Sequence, residues 1–189
     1  APTAETDFAG QLQIMQTMIN RRVSAIAISP IDRRALVSAV ERAAAENIPV
    51  VIFDTGIETD KYVSYVATDN YAGGRMAAER MGQILGGKGT VVMVRCLPGL
   101  ASTLAREQGF EDTLRERYPG IQILDRRFGM SDFAKSLAVA ENMLTAHPEV
   151  DAVFASNETS SVGAAQALKS RRSKAKMVGF DWSPTLAED

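Results

Sequence analysis

The chain has 189 residues, a formal net charge of −2, and 46% hydrophobic and 23% charged residues, a composition that excludes a disordered polymer and suits one domain or two small ones. Lys and Arg are interleaved with Asp and Glu, so the clusters Arg21-Arg22, Arg33-Arg34 and Lys169 to Lys176 read as solvated helix ends and loops rather than a nucleic-acid surface, and no apolar stretch approaches the roughly 20 residues needed to cross a bilayer. One cysteine, Cys96, and one histidine, His147, exclude an internal disulfide and a Cys/His zinc site and leave almost no material for a His-dependent hydrolase.

Phe8, Leu12, Met15 and Ile19 recur at helical spacing and predict a helix ahead of the apolar run 23–28. Asp32 then reads as the N-cap of a helix carrying Leu36, Val40, Ala43 and Ala44, which Asn47-Ile48-Pro49 stops before a strand at 49–54. A strand at 62–68 is separated by Asp69-Asn70 from a helix carrying Arg75, Met76, Met81 and Leu85. Gly86-Gly87-Lys88-Gly89 ends that helix and turns into a strand at 89–95, the reverse of the order a phosphate loop requires. Cys96 closes this strand as buried filler. After a strand at 121–126, Phe133, Leu137, Ala140 and Leu144 form an unbroken apolar stripe that ends at His147, a cap or C-terminal charge partner. Strands at 150–155 and 176–181 complete the series. Strand–helix alternation of this kind predicts α/β architecture, a parallel doubly wound sheet with helices on both faces.

Three of the apolar runs end in a carboxylate or carboxamide: VVIF into Asp54, AVFAS into Asn157 and MVGF into Asp181. Open α/β sheets bind ligands beyond the carboxyl ends of their strands, so these three residues predict a polar binding cleft. No Gly-x-Ser-x-Gly elbow, metal cluster or phosphate loop accompanies them, and the pattern points to binding rather than catalysis.

Residues 150–158 (VDAVFASNE), 162–168 (VGAAQAL) and 178–181 (VGFD) resemble the second domain of the type I periplasmic binding proteins, the ribose- and galactose-binding group related to the effector domains of LacI-type repressors. Arg106-Glu107-Gln108-Gly109-Phe110 resembles that family's Arg-x-x-Gly-Phe helix. Residues 67–74 (ATDNYAGG) resemble the segment where the chain first crosses between lobes, and 23–30 with 48–54 resemble the first lobe's strand–helix–strand. The motifs stand in the family's order across essentially the whole chain.

The resemblance implies two doubly wound lobes, 1–68 and 70–189, each partial, joined near Asp69-Asn70. A full family member would carry another strand and helix before residue 1 and further strands beyond Asp189, so the chain is expected to be part of a longer protein; no signal peptide lies in these residues. The implied function is that of a periplasmic, monomeric solute receptor. It would close on a sugar between its lobes and deliver it to a membrane ABC permease, with no cofactor, no metal and no nucleic acid. The alternative is the effector-binding core of a LacI-type repressor, which needs a helix-turn-helix upstream.

Ligand contacts are implied at Asp54, Asn157 and Asp181, whose planar groups can bridge vicinal hydroxyls, although each also suits a turn or helix cap. Arg106 either donates to sugar hydroxyls or braces its helix. Ser102 and Thr103 open that helix within reach of a ligand. Trp182 either stacks on a pyranose face or packs structurally.

Overall fold

The computed structural model describes residue 4 and residues 6–188. Two compact units are present. One holds the described residues up to Asp69 together with Gly99–Ser102; the other holds Asn70–Pro98 and the described residues from Thr103 onward. The strands read at 49–54 and 89–95 lie in separate sheets. Gly99–Ser102, expected with the second lobe, instead packs on the first unit: the Gly99 carbonyl accepts from Arg33 N at 3.0 Å, and Ser102 N donates to Thr55 Oγ1 at 3.1 Å.

In the first unit, α1 (Phe8–Asn20), β1 (Ile26–Ile28), α2 (Val37–Ala45), β2 (Val50–Phe53) and β3 (Ser64–Val66) form a parallel sheet in the order β1-β2-β3. Asp7 caps α1 by accepting from Gly10 N. Met15, Ile19, Val40, Ala43, Ile26, Val50 and Ile52 make the core, while Phe8, first of its stripe, is exposed. Asp32 does not cap α2. Its carboxylate accepts from the amides of Arg34 and Ala35 in the preceding turn, and the helix starts at Val37 without a side-chain cap. The strand expected at 62–68 contracts to three exposed residues.

The second unit holds α3 (Asn70–Leu85), β4 (Lys88–Arg95), α4 (Ala101–Arg117) from Thr103 onward, β5 (Gly120–Phe128), α5 (Phe133–Ala146), β6 (Ala152–Ala155), α6 (Glu158–Ser170), β7 (Lys176–Gly179) and α7 (Pro184–Glu188), with the strands in a parallel sheet ordered β5-β4-β6-β7. Val91–Val94 and Ala152–Ala155 are buried throughout because helices cover both faces, which is why these strands read as continuous apolar runs. On one face Phe110 of α4 stacks on Phe154 of β6 with centroids 3.9 Å apart; on the other, Ala140, Met143 and Leu144 pack with Ala164 and Ala167. Phe133, which leads the α5 stripe, is exposed. Beyond Asp181, α7 forms, with Pro184 at its first position and the Ser183 hydroxyl accepting from Leu186 N.

Two features fix α4 in place. Gly74 of α3 faces the backbone of α4 so closely that an added Cβ would run into the carbonyl of Arg106. Glu107, only 1% exposed, ties α4 to the sheet: its carboxylate accepts from Arg95 Nε at 2.6 Å and from Ser156 Oγ at 2.8 Å, and Ser156 Oγ in turn accepts from Cys96 N at 3.1 Å. Burial pushes the Glu107 carboxyl above the usual glutamate range, against the opposing pull of Arg95 and the hydrogen bonds from Ser156 and Cys96.

Two outcomes are expected. Gly74→Ala should lower the unfolding free energy by about 1–3 kcal/mol through overpacking, measured by urea titration. A raised pKa in the folded state gives stability that is full below the usual glutamate range and is lost as pH rises through the raised value. The stability of the parent relative to Glu107→Gln should therefore fall as the pH rises above the usual glutamate range; a difference that rises with pH would contradict the burial argument.

Candidate functional site

Both sheets end in an aspartate of the same unusual conformation. Asp54 follows β2 directly with φ 64°, and Asp181 lies two residues beyond β7 with φ 65°. Aspartate tolerates this left-handed region better than most residues, yet strain of this kind is kept where the surroundings hold it, often at functional sites. In each case the turn aims a carboxylate beyond the strand's carboxyl end instead of letting the strand continue.

At the end of β2, Asp54 accepts from Ser29 Oγ at 3.2 Å, and Ser29 itself follows β1. Tyr65 of β3 stands nearby, and partial burial together with the Asp54 charge pushes its phenol upward. Ser102 is buried and its amide holds Thr55, the residue after Asp54; Thr103 is buried as well. Neither side chain presents an open hydroxyl surface.

In the second unit, β6 runs into Ser156 and Asn157. Asn157 is the N-cap of α6: its side chain accepts from Ser160 N and donates to Thr159 Oγ1 at 3.0 Å. Asp181 accepts from Glu158 N at 3.1 Å and forms a long ion pair with Arg106 Nη1 at 3.3 Å. Asp181 is therefore already engaged on one side, although 41% of its side chain stays exposed.

Arg106 braces its own unit. Its Nε donates to Asn70 Oδ1 at 2.8 Å, its Nη1 donates to the Ser156 carbonyl at 3.0 Å, and its guanidinium lies 4.5 Å over the Phe180 ring. Trp182 follows Asp181 with 74% of its surface exposed, so the ring does not serve as core packing.

The structure thus groups Arg106, Asn157 and Asp181, with Trp182 next in the chain, at the carboxyl ends of β6 and β7, and places Asp54 with Ser29 and Tyr65 at the carboxyl end of the first sheet. Sequence reasoning missed Ser29, Tyr65, Asn70, Ser156, Glu107 and Phe180. Ser29 and Ser156 carried a usable signal, since each directly follows an apolar run. Asn70 and Glu107 carried none, because their roles depend on how α3 and α4 pack. Among the described residues no three His, Cys, Asp or Glu side chains converge as a metal site, and no helix is long and apolar enough to cross a membrane.

An array of carboxylate, carboxamide and guanidinium groups beside an exposed indole suits a ligand rich in hydroxyls with an apolar face. The ribose import binding protein RbsB of Bacillus subtilis is 34% identical over 178 residues, which are 94% of this chain and 57% of that protein. RbsB of Escherichia coli is 32% identical over 177 residues, 93% of this chain and 59% of that protein. The chain therefore spans somewhat under two thirds of the length of these curated relatives. Among solved structures, an ABC transporter solute-binding protein from Agrobacterium vitis with bound D-fucose superposes with a TM-score of 0.95 at 33% identity, covering 100% of this chain and 66% of that one. A carbohydrate transporter solute-binding protein from Agrobacterium radiobacter in complex with D-arabinose gives 0.91 at 31% identity, covering 98% and 65%. Residues 2–188 match the family described as periplasmic binding protein domain, and the chain belongs to that family.

Proposed function

We propose that this chain is the sugar-binding part of a periplasmic receptor for an ABC-type importer, acting by binding and not by catalysis. The observation that carries the reading is the cluster of Arg106, Asn157 and Asp181 at the strand ends of the second unit, flanked by the exposed Trp182. The two units are the two lobes of the receptor. Asp54 on the first and Asp181 on the second accept from sugar hydroxyls, Asn157 adds a carboxamide, Arg106 donates, and Trp182 offers its face to the sugar's C–H face. Ser102 and Thr103 act behind this surface by fixing the first turn of α4.

The partners are a small-molecule sugar and a membrane permease, and the location is the periplasm. The relatives named above are import and solute-binding proteins, which favours the receptor over the repressor reading.

Calorimetric titration with D-ribose, D-fucose, D-arabinose and D-allose tests the proposal. At least one should bind with a measurable heat, and no binding by any would remove the carbohydrate assignment. A carboxylate that accepts from sugar hydroxyls makes charge-assisted bonds of about 1.5–3 kcal/mol each. Asp181→Ala should accordingly weaken the bound sugar roughly a hundredfold, and Asp181→Asn less. The Ala variant also removes an acceptor from Glu158 N and Arg106, so its melting temperature should drop slightly. Unchanged affinity in Asp181→Ala would place the site elsewhere.

A further inference from the structure

Consecutive residues of α4 grip one residue of the sheet from opposite ends of its chemistry. Arg106 Nη1 donates to the carbonyl of Ser156 at 3.0 Å, and the carboxylate of Glu107 accepts from the hydroxyl of the same Ser156 at 2.8 Å. Ser156 is fully buried and immediately precedes Asn157, the N-cap of α6, whose first amide at Glu158 holds Asp181. The second oxygen of Glu107 is occupied by Arg95 at 2.6 Å, and Arg95 itself lies 4.4 Å over Phe128 at the end of β5. One buried carboxylate thus joins the ends of β4 and β6 to the turn of α4 that carries Arg106.

We infer that Glu107 is a positioning residue for ligand recognition: by holding Ser156 and Arg95 together it sets where Arg106, Asn157 and Asp181 stand, without touching the ligand. The inference rests on the sugar-receptor reading above and adds the group that holds that reading's binding residues in register. Its chemistry is specific to a carboxylate. Both oxygens accept at once, one from Arg95 and one from Ser156, whereas a carboxamide accepts on one oxygen only. Glu107→Gln keeps a single acceptor, the charged arginine is its stronger claimant, and the Ser156 hydroxyl then faces an amide N–H to which it cannot donate. Ser156 then loses its acceptor, and the register of β6 against α4 loosens beneath Asn157. A role confined to bulk stability would be indifferent to which partner is released.

Titration of the parent with D-ribose, and with D-fucose, D-arabinose and D-allose if ribose is silent, reads the underlying function on its own. With the sugar that the parent binds, Glu107→Gln should weaken binding at least tenfold. Adding Arg95→Gln to it should bring affinity back to within about threefold of the parent. The carboxamide introduced at position 95 then accepts from the amide nitrogen of the one at position 107, whose oxygen is left free for the Ser156 hydroxyl. Parent-like affinity in the single variant, or no recovery in the double variant, overturns the inference while leaving the receptor function intact.

The ligand-free protein gives a second readout that does not depend on any sugar. In 15N-labelled protein, the Arg106 Nε–H resonance, assigned with Arg106→Lys, should shift in Glu107→Gln and return toward its parent position in the double variant. A resonance that does not move in Glu107→Gln contradicts the positioning role even if no sugar binds.

Discussion

The ends of a buried parallel strand pose a hydrogen-bonding problem, and the site is built from its solution. Along a ladder every amide and carbonyl is paired, but where β4 and β6 stop, their terminal groups are still out of reach of water and cannot be left without partners. Phe180 N is met by the Ala155 carbonyl, and Ser156 N by the Val94 carbonyl. Beyond these last rungs the protein uses side chains: Arg106 for the Ser156 carbonyl, and the Ser156 hydroxyl for Cys96 N. Arg106 is set where it is by a backbone's needs, and Asp181 beside it pairs with the same guanidinium. The atoms that satisfy the strand ends are thus the same ones that the proposed ligand recognition would use.

For the proposed ligand recognition the consequence is preorganisation. Side chains already held by neighbours lose little rotamer freedom when a ligand arrives, so more of each hydrogen bond appears as affinity. The left-handed turns at Asp54 and Asp181 act in the same sense, since each fixes the direction of a carboxylate through the backbone. The close approach of α3 and α4 at Gly74 belongs to this arrangement too, because it lies against the backbone of Arg106 itself.

Much of the fold was legible because burial on both faces leaves an unambiguous mark. The runs at 89–95 and 150–155 are strands that helices cover on both sides, and their apolar continuity shows it. The strand at 62–68 was read too long, since β3 is exposed and little in its sequence reports its ends. Asp32 was read as a cap because the Ser29-Pro30-Ile31-Asp32 context suits one, yet a turn intervenes before α2. The return of Gly99–Ser102 to the first unit goes with the bonds of Gly99 to Arg33 and of Ser102 to Thr55, which no periodicity announces. The strand-end rule places Asp54, Asn157 and Asp181 just beyond their strands, as the structure has them, but not the hold on Ser156, which depends on the register of α4 against the sheet.

The central claim is that ligand recognition sits at the carboxyl ends of these strands. Amide chemical-shift mapping of 15N-labelled protein titrated with D-ribose tests it most directly, with D-fucose as the second probe. The largest shifts should fall at Asp54 and Thr55, at Ser156–Glu158 and at Phe180–Trp182. Shifts concentrated instead at the strands' opposite ends, around Lys88, Asp151 and Lys176, would contradict the account.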